Sequence, residues 1–349
     1  MTTAGGGLHS IVFNGIISLM IKFELKYKDI ISSENLLGAW QEFIKDKRKR
    51  KDVQEFQYNL SDNLVALKKS LEQKTYYHKK YYAFNISDPK PRNIHKATVE
   101  DRILHRAIYR KLYPYFDFRF ISDSYSCRLD KGTHRGFERF RAFARQVSKN
   151  DTKICWVLKC DIRKFFASID HENLLNILKT YIPDEDIIWL LGMIISSFCS
   201  NKPGIGLPLG NLTSQLIANI YMNTFDQWTK HIMKAKYYIR YADDFVILHQ
   251  EKDYLLELTP KIVDFLEENL KLSLHPNKVS VNTLSSGVDF LGWVHFPHHR
   301  VLRTATKRKM FRNLNSKQGK QKENSAQSYL GMLGWGNARK LADEIQNMI

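Results

Sequence analysis

The chain has few cysteines, little acid and no long apolar run. Its four cysteines, Cys127, Cys155, Cys160 and Cys199, form no CxxC pair, so neither a disulfide framework nor a zinc site is indicated. That usage fits a reducing compartment, and the expected location is the cytoplasm. No apolar stretch approaches the roughly 20 residues that a membrane-spanning helix needs. The longest, residues 11–21, is broken by Asn14 and Gly15 and lacks the basic flank and cleavage site of a signal peptide. No repeat of solenoid length occurs. Residues 1–19 carry no charged side chain, which makes them an expected extension ahead of a start at Met20, with a buried apolar strand as the alternative.

The shortage of acid is the first positive signal. There are 36 Asp and Glu against 54 Lys and Arg, a formal net charge of +18. The usual partner of such a field is a phosphate backbone. Intrinsic disorder is excluded by 43% hydrophobic residues, among them 20 Phe and 17 Tyr. At roughly 100–200 residues per domain, the length allows two or three compact units.

Along the chain, Ser33 reads as a helix cap before Leu36, Leu37, Trp40, Phe43 and Ile44 at helical spacing. Six basic residues follow within 45–51, either a solvated loop or a backbone-binding patch. Residues 81–86 alternate like a strand, a Pro-rich turn follows, and Ile94 resumes, which is a hairpin with Lys90 and Arg92 near its tip. Residues 99–113 read as a basic amphipathic helix, and Asp170 and Asp184 as caps of two more. Residues 155–158 form a buried strand that delivers Asp161, and 241–244 (Tyr-Ala-Asp-Asp) make a tight turn between two further strands. Residues 300–322 hold nine Lys or Arg and no acid, and 326–348 return to a helical pattern.

Carboxylates at strand ends in an apolar setting need a reason, because burying unpaired charge is expensive. Gathered together, they also push each other's pKa upward. A divalent cation removes both penalties, and oxygen ligands favour Mg²⁺. Alone, Asp243-Asp244 is an ordinary Asx-rich turn; together with Asp161 and the phosphate-facing elements it points to catalysis.

The motifs carry a resemblance. Residues 160–166 (CDIRKFF) resemble the first catalytic motif of reverse transcriptases, and 241–244 (YADD) their YxDD box. Lys90-Pro91-Arg92 is similar to the fingers hairpin, 207–215 (LPLGNLTSQ) to the loop and helix beside the nucleotide, 270–278 to the following motif, and 290–293 (FLGW) to the primer grip. The order matches from about residue 33 to the C-terminus. Three features resemble the enzymes of diversity-generating retroelements: Ser214-Gln215 in place of Ser-Pro, residues 124–134 (SYSCRLDKGTH), and 328–341 (SYLGMLGWGNARKL).

The resemblance implies an α+β right-hand polymerase fold with an antiparallel palm sheet, fingers and a short helical thumb. Its expected parts are an N-terminal extension (1–24), fingers (25–149), palm (150–172), a fingers insertion (173–205), palm again (206–297) and a basic thumb (298–349). It implies RNA-directed DNA synthesis on an element-encoded template RNA, error-prone at adenines, with two Mg²⁺ ions and dNTP substrates. Template RNA, the RNA/DNA duplex and a small basic accessory protein are the implied partners, and no membrane. An antiviral-defence reverse transcriptase is the alternative within the class, and a non-catalytic RNA-binding scaffold the alternative outside it.

By the same resemblance Asp161 and Asp243 ligate metal, assisted by the backbone carbonyl of Ile162. Asp244 joins them only if the turn bends, since neighbouring strand residues face opposite sides. Lys90 and Arg92 hold the triphosphate, Phe166 abuts the sugar 2′ position, and Leu209, Gly210 and Gln215 border the nucleotide. Lys278 donates a proton to pyrophosphate or is a plain surface lysine. Phe165 faces the core; Leu291 and Trp293 support the primer or are core; His105 and His134 read as surface histidines. The 300–322 block lies along the duplex, or is a solvated tail.

Overall fold

The computed structural model describes residues 22–86 and 91–349. The expectations for residues 1–19, for a start at Met20 and for Lys90 lie outside those residues. The chain divides into two compact units, Met1–Phe120 with Lys164–Met222, and Ile121–Arg163 with Asn223–Ile349.

The first unit is mostly helical. The helix Ser33–Phe43 is capped by Ser32, whose side chain accepts from the Asn35 N–H, one residue ahead of the expected Ser33. Its buried stripe of Leu36, Trp40 and Phe43 packs on the side of the helix Val99–Arg119. That second helix continues beyond residue 113 through Pro114, which cannot donate to the carbonyl of Arg110. Burial of Leu104, Ile108, Leu112 and Phe116 outweighs the lost bond. On the same buried side lies His105, so the surface reading of this residue is overturned. Its Nε2 faces Nε2 of His78 at 3.2 Å, and burial lowers its pKa to about 3. Strands β1 (Tyr82–Ile86) and β2 (Arg92–Lys96) form an antiparallel hairpin in which Ile86 faces Arg92. Asp170 and Asp184 cap the helices His171–Tyr181 and Glu185–Ser196, as their spacing predicts.

The second unit is built on an antiparallel sheet of β3 (Trp156–Asp161), β4 (Tyr238–Tyr241), β5 (Asp244–His249) and β6 (Ser280–Thr283), ordered β4-β5-β3-β6. Alternation divides the side chains between two buried faces. Val157, Ile239, Val246 and Leu248 pack with Phe140, Phe143 and Val147 of the helix Thr133–Val147. On the other face Phe245 meets Phe225, which in turn meets Phe265 of the helix Lys252–Leu270.

A smaller sheet follows, β7 (Val288–Phe290), β8 (Trp293–His295) and β9 (Arg300–Leu302), also antiparallel. The helices Thr304–Asn315, Gly319–Leu333 and Arg339–Gln346 gather Met310, Leu314, Leu333 and Ile345 around Trp293 and Leu302. The basic 300–322 stretch is therefore folded and is not a solvated tail. Trp293 is core, and it requires Gly336: a Cβ there would lie 2.0 Å from the indole. The expected α+β class with an antiparallel sheet is the one found.

Candidate active site

Asp161 ends β3 and pairs directly with Asp244, the first residue of β5. Directly opposed residues project from the same face, with Cβ atoms about 4.5–5.5 Å apart. The turn between β4 and β5 is shorter than expected: Tyr241 pairs with Asp244, leaving only Ala242 and Asp243 outside the strands. Ala242 has φ 56°, a left-handed conformation that non-glycine residues rarely adopt. No bend of the strand is needed to bring Asp244 to Asp161; the register alone does so.

Neighbouring bonds fix the backbone around this pair. The Ile162 N–H donates to the Asp243 carbonyl at 3.1 Å, tying the turn to the chain beyond Asp161. The His275 N–H donates to the Asp161 carbonyl at 2.7 Å, and the Arg163 N–H to the Ser273 carbonyl at 2.9 Å. These bonds stitch the 270–278 segment alongside and bring Lys278 to the site. Its Nζ lies 2.8 Å from Oδ1 of Asp161. Lys159, two residues before Asp161 and so on the same face, donates to the Asp289 carbonyl at 2.5 Å and stands 3.9 Å from Oδ1 of Asp244.

Asp244 is the strained member electrostatically. Burial first, then the charges of Asp161 and Asp243, raise its pKa to about 6, against the pull of Lys159. Its Oδ1 is buried and accepts no hydrogen bond. A buried carboxylate oxygen without a donor is a place where a cation fits. Among the described residues no group of three or more His, Cys, Asp or Glu side chains stands close enough to hold a metal. A Mg²⁺ site does not require one, since this ion uses one or two carboxylates together with waters and substrate phosphates. The donor set, oxygen atoms alone, suits that ion.

Arg92, Phe166, Leu209, Gly210 and Gln215 belong to the first unit, where several come together. Leu207 N–H donates to the Phe166 carbonyl at 2.7 Å, and His95 N–H of β2 donates to the Leu209 carbonyl at 3.0 Å. The Asn211 side chain donates back to the His95 carbonyl. Thus the 207–211 loop joins Phe166 to the strand that begins with Arg92. Gly210, at φ 104°, must be glycine: a Cβ would sit 2.8 Å from Ile94 Cγ2. Phe165 is buried and Phe166 partly exposed; Gln215, in the first turn of the helix Leu212–Gln227, is half-buried.

Residues 78–295 match the family described as reverse transcriptase (RNA-dependent DNA polymerase). The chain belongs to the reverse transcriptase family. Protein YkfC of Escherichia coli K12 is 24% identical over 254 residues, covering 62% of this chain and 65% of that protein. The group II intron-encoded protein LtrA of Lactococcus lactis subsp. cremoris is 20% identical over 302 residues, covering 66% and 49%. The chain therefore spans less than two thirds of the length of either relative. Among solved structures, an apo telomerase from Candida tropicalis, truncated from its C-terminal domain, aligns with a TM-score of 0.49 and 14% identity over 69% of this chain and 60% of that one.

Sequence reasoning missed Arg240. This residue is wholly buried, and its guanidinium pairs with the equally buried Asp226. A charged residue just before an acidic turn reads as surface, and nothing local marks Asp226, 14 residues earlier, as its partner. Among the described residues no helix is long and apolar enough to cross a membrane.

Proposed function

We propose that this chain is an RNA-directed DNA polymerase that extends a primer 3′-hydroxyl by in-line attack on an incoming dNTP. The observation that carries the proposal is the register of Asp161 against Asp244, with Asp243 in the β4–β5 turn and a buried oxygen of Asp244 that accepts no hydrogen bond. In this reading Asp161, Asp243 and Asp244, with the Ile162 carbonyl, hold Mg²⁺. A metal held there would supply Lewis acidity to the attacking hydroxyl and positive charge to the phosphates. Lys278 hands a proton to the departing pyrophosphate. Arg92 and Lys90 take the triphosphate, Arg as a planar fork and Lys as a point charge. Phe166 fills the space a 2′-hydroxyl would need, and Leu209, Gly210 and Gln215 border the base and sugar. Fingers at 25–149 and 173–205, palm at 150–172 and 206–297, and thumb at 298–349 complete the assignment.

Within the family we assign the chain to the diversity-generating type. The reading is supported by 124–134 (SYSCRLDKGTH), by Ser214-Gln215 and by the 328–341 segment. It makes the template an element-encoded RNA, the copying error-prone at adenines, and a small basic protein the accessory partner. The net charge of +18 suits an RNA/DNA duplex.

Primer extension on a defined RNA with Mg²⁺ and four dNTPs, followed by sequencing of the cDNA, tests both levels. RNA-dependent extension with errors concentrated opposite adenine is expected. Failure to extend on RNA contradicts the polymerase, and uniform fidelity across the four template bases contradicts the subgroup.

A further inference from the structure

The turn that carries Asp243 is short, and its first residue, Ala242, is held at φ 56° without the freedom of glycine. The side chain of Arg240 reaches that turn. Its Nε and Nη2 donate to the two carboxylate oxygens of Asp226, each at 2.7 Å, which fixes the plane of the guanidinium. Tyr238 Oη donates to the same carboxylate at 2.6 Å. Nη2 also donates to Ser124 Oγ at 3.1 Å, and Nη1 is left to donate to the Ala242 carbonyl at 3.0 Å. The backbone of Arg240 is clamped as well: its N–H donates to the Asp123 carbonyl and its carbonyl accepts from the Tyr125 N–H, both at 3.0 Å.

The consequence is geometric. A peptide unit is planar, so fixing the Ala242 carbonyl fixes the plane that enters Asp243. The plane that leaves Asp243 is fixed by its own carbonyl, which accepts the Ile162 N–H. Both planes flanking Asp243 are therefore pinned, one by Arg240 and one by the strand that carries Asp161. A buried ion pair is a poor stability device, since apolar residues of similar volume often replace it without loss. Its third donor, aimed at the turn, accounts for a charge in this place.

We propose that Arg240 is a positioning residue: oriented by Asp226 and by Ser124 of the 124–134 segment, it anchors the Ala242 carbonyl and so sets Asp243 against the Asp161–Asp244 pair that the strand register makes. The proposal rests on the reading of these carboxylates as the catalytic site. It also gives the 124–134 segment a task, since Ser124 belongs to the same clamp.

Three proteins test it: wild type, Arg240→Lys, and the double variant Arg240→Met with Asp226→Leu, which leaves no buried charge unpaired. Thermal melting selects folded proteins; if the double variant does not fold, Arg240→Lys decides, because a lysine ammonium cannot fork onto Asp226 and reach Ala242 together. Amide hydrogen exchange then reports the turn through the Ile162 N–H. We expect exchange at Ile162 and across 241–245 to quicken at least tenfold in the folded variants, while 156–160 is unchanged. Primer-extension kcat should fall about a hundredfold with KM for dNTP within twofold, the mark of misplaced catalytic groups with binding intact. Wild-type exchange at Ile162 in a folded variant overturns the clamp. Absence of primer extension by wild type overturns the polymerase reading instead, and the exchange comparison still decides the clamp.

Discussion

Nζ of Lys278 rests 2.8 Å from Oδ1 of Asp161, on the carboxylate that a metal ion would need. The lysine is 40% exposed and the aspartate 15%, so the pair is partly solvated. Such pairs contribute about 0.2–1 kcal/mol, enough to compete with a cation but not to exclude one.

Lys278→Met removes that competitor. Mn²⁺ titration followed by electron paramagnetic resonance should show tighter binding by roughly two- to fivefold, the equivalent of that pair energy. Primer extension should drop about a hundredfold with loss of the proton donor. Weaker Mn²⁺ binding in the variant would mean that Lys278 helps to build the site and does not compete for it.

Asp244 predicts a dependence of stability on pH. Its folded-state pKa, raised to about 6 by burial first and then by Asp161 and Asp243, exceeds the usual 3.8. The group therefore contributes stability that is fully present below about pH 4 and lost as pH rises through about 6. Asp244→Asn should stabilise the metal-free protein by about 1–3 kcal/mol at pH near 8, with no gain at pH near 4. Melting curves in EDTA at the two pH values measure this. Equal melting of both proteins at alkaline pH would show that Asp244 carries its charge there without penalty.

What was legible in the sequence was mostly local. Asp161 stood at the end of an apolar run, and Asp170 and Asp184 preceded helical patterns, so strand end and caps could be read directly. Pairing register could not: whether the turn holds two residues or four depends on which residue of β4 meets Asp244, and that is a tertiary fact. The helix that begins at Val99 runs past the expected end at residue 113, because the missing backbone donor of Pro114 is visible in the sequence while the burial of Phe116 that offsets it is not. Arg240 and His105 were missed or misread for one reason. Polar residues are read as exposed unless a partner is known, and Asp226 and His78 are distant in sequence.

The proposed place of Leu209 beside the nucleotide carries a prediction about fidelity. Its carbonyl is tied to His95, while its side chain is only half-buried beside the loop. A leucine side chain cannot hydrogen-bond a sugar or phosphate, whereas a glutamine side chain can. A hydrogen bond to a charged group contributes about 1.5–3 kcal/mol, so Leu209→Gln should tighten the hold on the nucleotide and lower misincorporation. Sequencing of cDNA from both enzymes at matched extension checks it, with the largest fall opposite template adenine. An active variant with the same error rate would detach this loop from infidelity.

The proposed place of Phe166 beside the sugar carries a prediction about discrimination. Phe165 is buried while Phe166 is partly exposed, which leaves Phe166 the ring available to a nucleotide. Phe166→Ala should therefore admit ribonucleotides, read as a loss of at least tenfold in the dNTP-over-rNTP ratio of kcat/KM. Unchanged discrimination in single-nucleotide extension would move the gate elsewhere.

We propose that the carboxylates at the β3 and β4–β5 ends carry out DNA synthesis. Asp243→Ala removes one of them and leaves the basic surface intact. The direct measurement is Mg²⁺-dependent primer extension on RNA by wild type and Asp243→Ala at equal template–primer occupancy. Loss of at least a thousandfold in extension rate with binding of RNA/DNA duplex within twofold is the predicted result, and near-normal extension by the folded variant would contradict the account.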